Sequence, residues 1–298
     1  MNLPRQNKPV VVVTGSGGQL GSEFQAIAEK YPELTFRYYS RKELDISKEE
    51  SIKDLFEAVR PAYFINCAAY TAVDAAEDDR EQAFKINATA VGLLAKYAAT
   101  FNSRFIHFST DYVFDGKKKS LYHVNDTVAP QTVYGASKAE GEKLALDANA
   151  ESFIIRTSWV YSSFGKNFVK TILRLLSERE EIGVVRDQYG SPTYASDLAQ
   201  TVMQIILDVE NGKEWRPGLY HYCNAGVISW FQFATVIKEI TESNCRVLPI
   251  STDQYPTHAK RPAYSALDCT KLNLNYGVRQ IPWKESLIEC LKVLVGRN

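Results

Sequence analysis

Val10-Val11-Val12-Val13-Thr14-Gly15-Ser16-Gly17-Gly18-Gln19-Leu20-Gly21 is the stretch that decides the fold. Four β-branched residues in a row, with no polar alternation, predict a strand buried on both faces, as in a parallel sheet. The strand runs into Gly15-x-x-Gly18-x-x-Gly21, after which Leu20, Phe24, Ile27 and Ala28 share one face of a helix. Strand, glycine turn and helix in that order suit a dinucleotide pyrophosphate. The glycines allow close backbone approach, and the helix N-terminus offers free N–H groups. The spacing is not Gly-x-Gly-x-x-Gly, because Leu20 stands where that pattern needs its third glycine. Gly15, Gly18, Gln19, Leu20 and Gly21 are the candidate cofactor contacts of this turn.

Further along, strand and helix signals alternate. Strand pattern at 34–39 precedes a helix that Ser47 can cap and that carries Ile52, Leu55, Phe56 and Val59. Strand 62–66, helix 79–100, strand 104–109, helix 134–148 and strand 152–160 follow. Strands separated by helices of ten or more residues build βαβ units, hence an α/β fold with a doubly wound parallel (Rossmann) sheet. The second half is less regular, with helices at 167–177, 196–207 and 230–241, a strand at 218–223 and a loop at 249–262. We expect a dinucleotide-binding domain over 1–157 and a smaller α+β substrate-binding domain over 158–298. The helix at 196–207 is expected to return to the first.

Composition narrows the function. The 298 residues balance 35 basic against 35 acidic side chains, which argues against a nucleic-acid or membrane-surface partner. A chain this long buries roughly three quarters of its unfolded surface and needs no covalent staples. The five cysteines are scattered without a Cys-x-x-Cys, so neither a disulfide framework nor a zinc knuckle is readable. Residues 1–9 are polar and lack a signal-peptide core, and no apolar run reaches the roughly 20 residues that span a bilayer. A cytoplasmic protein is expected.

Three constellations carry chemistry. Tyr39-Ser40-Arg41 ends the second strand without a carboxylate, so Arg41 can face a 2′-phosphate and NADPH is preferred over NADH, although nearby Glu43 keeps NADH possible. Tyr134-x-x-x-Lys138 matters by context only, since Tyr38 and Lys42 share the spacing but begin in a strand. On a helix, residues four apart share a face. An ammonium about 4 Å from the phenol favours phenolate by up to about 4 kcal/mol, which would bring the Tyr134 pKa from about 10 towards 7. Thr110-Asp111 follows the strand at 104–109, at the end where open α/β sheets place ligands.

The glycine turn, Asn66-Cys67-Ala68-Ala69, Ser109-Thr110-Asp111-Tyr112-Val113-Phe114-Asp115-Gly116 and Tyr134-Gly135-Ala136-Ser137-Lys138 together resemble the extended short-chain dehydrogenase/reductase family. The likeness runs on through Thr157-Ser158-Trp159-Val160-Tyr161, Asp187-Gln188-Tyr189-Gly190-Ser191-Pro192-Thr193 and Lys260-Arg261-Pro262. It implies a reductase passing hydride from NADPH to the C4 keto group of a dTDP-linked 4-keto-6-deoxy sugar. Tyr134 would be the general acid, Lys138 would hold the nicotinamide ribose and tune Tyr134, and Thr110 would complete the hydroxyl set. Asp45 and Ile46 would border the adenine, and Ala68, Ala69 and Tyr70 would line the cofactor groove. Asp111, Tyr112 and Trp159 would contact the sugar, and Arg261 the nucleotide diphosphate. Some relatives bind magnesium through acidic residues at a dimer contact; only Glu23 stands at a comparable place, so no metal is assigned and a homodimer stays open. An epimerase on the same scaffold and a non-catalytic dinucleotide-binding subunit, like one that serves methionine adenosyltransferase, remain alternatives. A 4,6-dehydratase is disfavoured, because Asp111 is followed by Tyr112 where that activity needs an Asp-Glu pair.

Overall fold

A computed structural model describes residues 8–296, so the polar start lies outside the described residues up to residue 7. The first half alternates β1 (Val10–Thr14), α1 (Gln19–Ile27), β2 (Thr35–Tyr39), α2 (Glu49–Val59) and β3 (Tyr63–Asn66). Next come α3 (Ala75–Asp78), α4 (Arg80–Phe84), α5 (Ala90–Thr100) and β4 (Arg104–Thr110). α6 (Val133–Ala148) and β5 (Phe153–Thr157) complete this half. The second half contains β6 (Val160–Tyr161), α7 (Phe168–Glu178), β7 (Glu181–Val185), β8 (Tyr189–Gly190), β9 (Thr193–Tyr194) and α8 (Ala195–Glu210). It ends with β10 (Gly218–His221), β11 (Ile228–Ser229), α9 (Trp230–Ile240), β12 (Arg246–Ile250), α10 (Thr270–Tyr276) and α11 (Trp283–Val295).

The central sheet is six-stranded and parallel, in the order β2-β1-β3-β4-β5-β10. Val11 and Val13 face one layer, where α1 supplies Phe24 and Ile27 and α8 supplies Leu198, Val202 and Ile206. Val12 faces the other, against Ile52 and Phe56 of α2 and Val91 and Leu94 of α5. Burial on both faces is why the valine run shows no alternation. Each of these side chains contributes about 1.5–3 kcal/mol on leaving water.

α8 therefore packs on the sheet, and β10 supplies its outer strand, so the second half of the chain returns to the sheet twice. The rest of that half has its own core: Val169 and Ile172 of α7, Phe233 and Ile237 of α9, and Leu287 and Leu291 of α11. The buried Asp197 carboxylate of α8 accepts from Asn224 (2.7 Å) and from Ser286 of α11 (2.5 Å) and ties the two cores together.

Several elements differ from the periodicity reading. The helix at 79–100 is broken by a π-helical turn, Lys85–Thr89. The strand at 152–160 stops at Thr157 because Trp159 adopts φ +49°, and Val160–Tyr161 pairs instead with β9. The loop at 249–262 begins as strand, since β12 pairs with β7; its Pro249 is tolerated in a two-stranded ribbon with an open side. Helices α10 and α11 were not anticipated. Among the described residues, no helix is long and apolar enough to cross a membrane.

Candidate active site

Strand order reverses between β1 and β3, and open α/β sheets bind ligands beyond the carboxyl ends of the strands at such a point. A cleft of about 1130 Å³ lies there. Gly15, Gly18, Gln19 and Leu20 line it from the end of β1, and Ser40, Arg41, Asp45 and Ile46 from the end of β2. Ala68, Ala69 and Tyr70 follow β3; Thr110, Asp111 and Tyr112 close β4; Tyr134 and Lys138 come from α6, and Trp159 from beyond β5. Of the residues expected from the sequence to contact cofactor or sugar or to act in catalysis, Gly21 and Arg261 do not line this cleft.

Gly21 has a different task. It sits buried in the first turn of α1, where an added Cβ would lie 2.4 Å from the Gly15 carbonyl oxygen. Gly15 itself turns the chain with φ +65°. The glycines thus pull the helix N-terminus against the turn, leaving its N–H groups to the cleft. Gly21→Ala is expected to weaken dinucleotide binding at least about tenfold, measured by quenching of protein fluorescence on titration.

At the end of β2 the carboxylate of Glu43 accepts the Ser40 N–H (2.8 Å), and this bond holds its pKa below the usual range. Glu43 is thereby committed to the turn, while Arg41 lines the cleft. Ser47 does not cap α2: Lys48 occupies that position, and the Ser47 hydroxyl donates to Asp45 Oδ1 (2.7 Å). The bond fixes the Asp45 carboxylate at the cleft wall.

Thr132 caps α6 by accepting the Gly135 N–H (3.0 Å), which places Tyr134 in the first helical turn. At Gly135 a Cβ would lie 2.2 Å from the Tyr112 carbonyl oxygen, so α6 docks directly on the chain leaving β4. That approach brings the Tyr134 phenol into hydrogen-bonding range of Thr110. The Thr110 hydroxyl also donates to Asp111 Oδ1 (3.0 Å) and accepts the Tyr112 N–H (3.2 Å). The Tyr112 and Tyr134 rings meet edge to face, 5.7 Å apart.

Lys138 corrects one expectation. Its Nζ donates to the Phe108 carbonyl (2.6 Å) and lies 3.1 Å from His107 Nε2, so it does not depress the Tyr134 pKa. Burial dominates instead and pushes the phenol up to about 12, while burial also brings Lys138 down to about 8. Tyr134 is consequently a protonated phenol across the neutral range: a proton donor rather than a resting phenolate.

Asp111 is buried, and loss of solvation raises its pKa from 3.8 to about 6, against the lowering effect of the bond from Thr110. An acid whose folded pKa is raised loses stability as pH climbs from about 4 through about 6. Asp111→Asn is therefore expected to stabilise the fold by about 2–3 kcal/mol at pH 7.5, with the gain vanishing below pH 4. Urea midpoints at the two pH values measure it.

Trp159 stacks on Trp230, the first residue of α9, with ring centroids 3.4 Å apart. Arg261 lies in a neighbouring cavity of about 700 Å³ lined also by Lys117, Lys260, Tyr189 and Tyr264, with Tyr112 shared between the two spaces. Its guanidinium pairs with Asp74, and its charge favours the phenolate of Tyr112 against the dominant effect of burial. Glu23 is buried and accepts from the Ser162 hydroxyl (2.6 Å). Sequence reading missed Asn87, which the π turn aims inward. Its side chain bonds both backbone groups of Tyr70 (2.9 and 3.0 Å) and Ser137 Oγ (3.0 Å), clamping the loop after β3 to α6. An inserted π residue leaves no mark in hydrophobic periodicity. Trp230 carried a signal, a capping box of Ser229 and Gln232, but one that marks a helix start and not a site.

Fold and site define the class, a Rossmann-like oxidoreductase of the extended short-chain type. The chain belongs to the family described as RmlD substrate binding domain, whose model matches residues 9–295. It is 40% identical over 283 residues to dTDP-4-dehydrorhamnose reductase of Aggregatibacter actinomycetemcomitans, covering 93% of this chain and 96% of that protein. Among solved structures it resembles a dTDP-4-dehydrorhamnose reductase from Clostridium acetobutylicum, with TM-score 0.91 and 38% identity over 96% of this chain and 99% of the other. The corresponding reductase from Bacillus anthracis in complex with NADP gives TM-score 0.90 and 39% identity over the same shares.

Proposed function

We infer that the chain is an NADPH-dependent dTDP-4-dehydrorhamnose reductase, which reduces the C4 keto group of dTDP-4-dehydro-6-deoxy-L-mannose to give dTDP-L-rhamnose. The observation that carries the reading is the Thr110, Tyr134 and Lys138 set at the floor of a dinucleotide cleft, in a chain 35–40% identical to several reductases of that name.

The residues fit the cofactor. A helix N-terminus drawn tight by Gly21 faces the pyrophosphate position, Arg41 suits a 2′-phosphate, and Asp45 with Ile46 borders the adenine. When bound, NADPH supplies the hydride that the keto carbon accepts. Tyr134 donates its proton to the C4 oxygen, which is more basic than a phenolate and takes the proton even from a phenol near 12. Thr110 steadies that oxygen and the phenol. Lys138, mainly an ammonium at neutral pH with its pKa at about 8, holds the nicotinamide ribose. Asp111, Tyr112 and Trp159 hold the sugar, and Arg261 the diphosphate from the adjoining cavity.

The same proposal assigns cofactor binding to residues 1–157, sugar binding mainly to 158–298, and cytoplasmic action to a chain whose cysteines are free thiols. A homodimer is the assembly to test first. NADPH deuterated at nicotinamide C4 checks the chemistry. One deuterium on the product's sugar C4 is expected, whereas a product without deuterium contradicts a net reduction.

A further inference from the structure

One wall of the cleft comes from the end of β5 and the segment beyond it, which supply Thr157, Ser158, Trp159, Val160, Gly165 and Lys166. This segment is tied to the start of α1. The Ser162 hydroxyl donates to the Glu23 carboxylate (2.6 Å), and Asn167 Nδ2 donates to Gln19 Oε1 (3.0 Å). Gly165 turns the chain with φ +64° and packs on Gln19: a Cβ there would lie 2.9 Å from Gln19 Cγ and 3.9 Å from the Gln19 backbone nitrogen. That nitrogen belongs to the first residue of α1, so its N–H is one of the donors left free at the helix start. Lys166, the next residue after Gly165, is thereby set beside the place where a pyrophosphate meets the helix.

Charge points the same way. Arg41 lines the cleft at the end of β2, and the Lys138 ammonium is buried on the floor against the Phe108 carbonyl (2.6 Å). The glycine turn itself offers N–H groups but no counter-charge to a doubly charged diphosphate. Lys166 is exposed, lines the cleft, and among the described residues no carboxylate pairs with it. Its neighbour Asn167 fixes the loop from both sides. The Asn167 side chain accepts the Lys170 N–H (3.0 Å) as the cap of α7, and donates to the Ser162 carbonyl (2.7 Å) as well as to Gln19. On binding a ligand, Lys166 has only its own side chain left to order.

We propose that Lys166 holds the diphosphate of the dinucleotide against the glycine turn, so that the second half of the chain supplies a charge to the cofactor. The inference rests on the cofactor reading given under Proposed function and adds a residue to that same site. The sugar nucleotide carries a diphosphate too, but its candidate partner Arg261 lies in the neighbouring cavity, whereas the loop of Lys166 is fastened to α1 through Gln19. Because the diphosphate is common to NADPH and NADH, Lys166 serves both alike and takes no part in choosing between them.

Isothermal titration calorimetry of the whole protein with NADPH, NADH and dTDP tests this without turnover. Lys166→Gln is expected to weaken NADPH and NADH by the same factor, about tenfold at low salt, and to leave dTDP within about twofold. Lys166→Glu should weaken both dinucleotides further, and Lys166→Arg, which keeps the charge, should stay within about threefold of the unaltered protein. The loss in Lys166→Gln should shrink as salt rises, because screening removes the contribution of an exposed charge. Unchanged dinucleotide affinity in Lys166→Gln and Lys166→Glu overturns the proposal and leaves the cofactor reading intact. So does a loss for NADPH alone, which is a 2′-phosphate contact, or for dTDP alone, which is a contact to the sugar nucleotide. Equal losses in the Gln, Glu and Arg variants also overturn it, since they report a disturbed loop rather than a lost charge. An unaltered protein that binds neither dinucleotide removes the cofactor reading and this proposal together.

Discussion

Tyr134→Phe is expected to lower kcat by roughly 10²–10⁴-fold while leaving NADPH affinity within about twofold. The substitution removes one hydroxyl and keeps the ring that packs edge to face on Tyr112. It also leaves the glycine turn and Arg41 untouched, which are the groups assigned to the cofactor. The loss is confined to proton delivery, because Thr110 is the phenol's partner and its hydroxyl is already shared with Asp111. Since burial holds the phenol near 12, the wild-type donor stays charged with its proton throughout the neutral range. Steady-state kinetics with a cofactor titration on the same preparation checks both halves. A variant with wild-type kcat would remove Tyr134 from the mechanism.

The second large effect concerns the helix that carries Tyr134. Glu142→Ala is expected to destabilise the protein by about 3–5 kcal/mol, read from urea unfolding. Arg156 and Glu142 are paired with side chains only 2% and 5% exposed, and Arg156 also donates to the Val124 carbonyl (3.2 Å) and lies over the Phe114 ring. Removing the carboxylate leaves a guanidinium buried without a counter-charge, which costs more than the pair contributes when intact. The double variant Glu142→Leu/Arg156→Met replaces both charges by apolar groups and is expected to recover most of the loss. If it does not, the pair has an orienting role for α6 beyond charge compensation.

Much of this molecule was readable from its residues, and the reason is local. The valine run and the glycine turn specify β1, the turn and α1 without outside help, since their periodicity and backbone geometry are properties of adjacent residues. Cleft residues at strand ends, from Ser40 to Tyr112, follow once the strands are placed. The sheet order, and the return of β10 to the first layer, are set by long-range packing and leave no local pattern. The same limit explains the failure over Lys138. The i, i+4 spacing with Tyr134 is real, but the direction of Nζ is decided by the Phe108 carbonyl and His107, some thirty residues earlier in the chain. Asn87 escaped notice because its position depends on a π turn, and Trp230 because its partner, Trp159, is reached only through a residue with positive φ.

The reductase assignment is tested most directly by following nicotinamide absorbance while the purified protein is offered the dTDP-linked 4-keto-6-deoxy sugar with NADPH and, separately, with NADH. The expected result is cofactor oxidation that depends on the sugar, stoichiometric with dTDP-L-rhamnose formed and faster with NADPH. Protein that arrives with tightly bound NAD and consumes no added NADPH in the presence of the keto-sugar would contradict it.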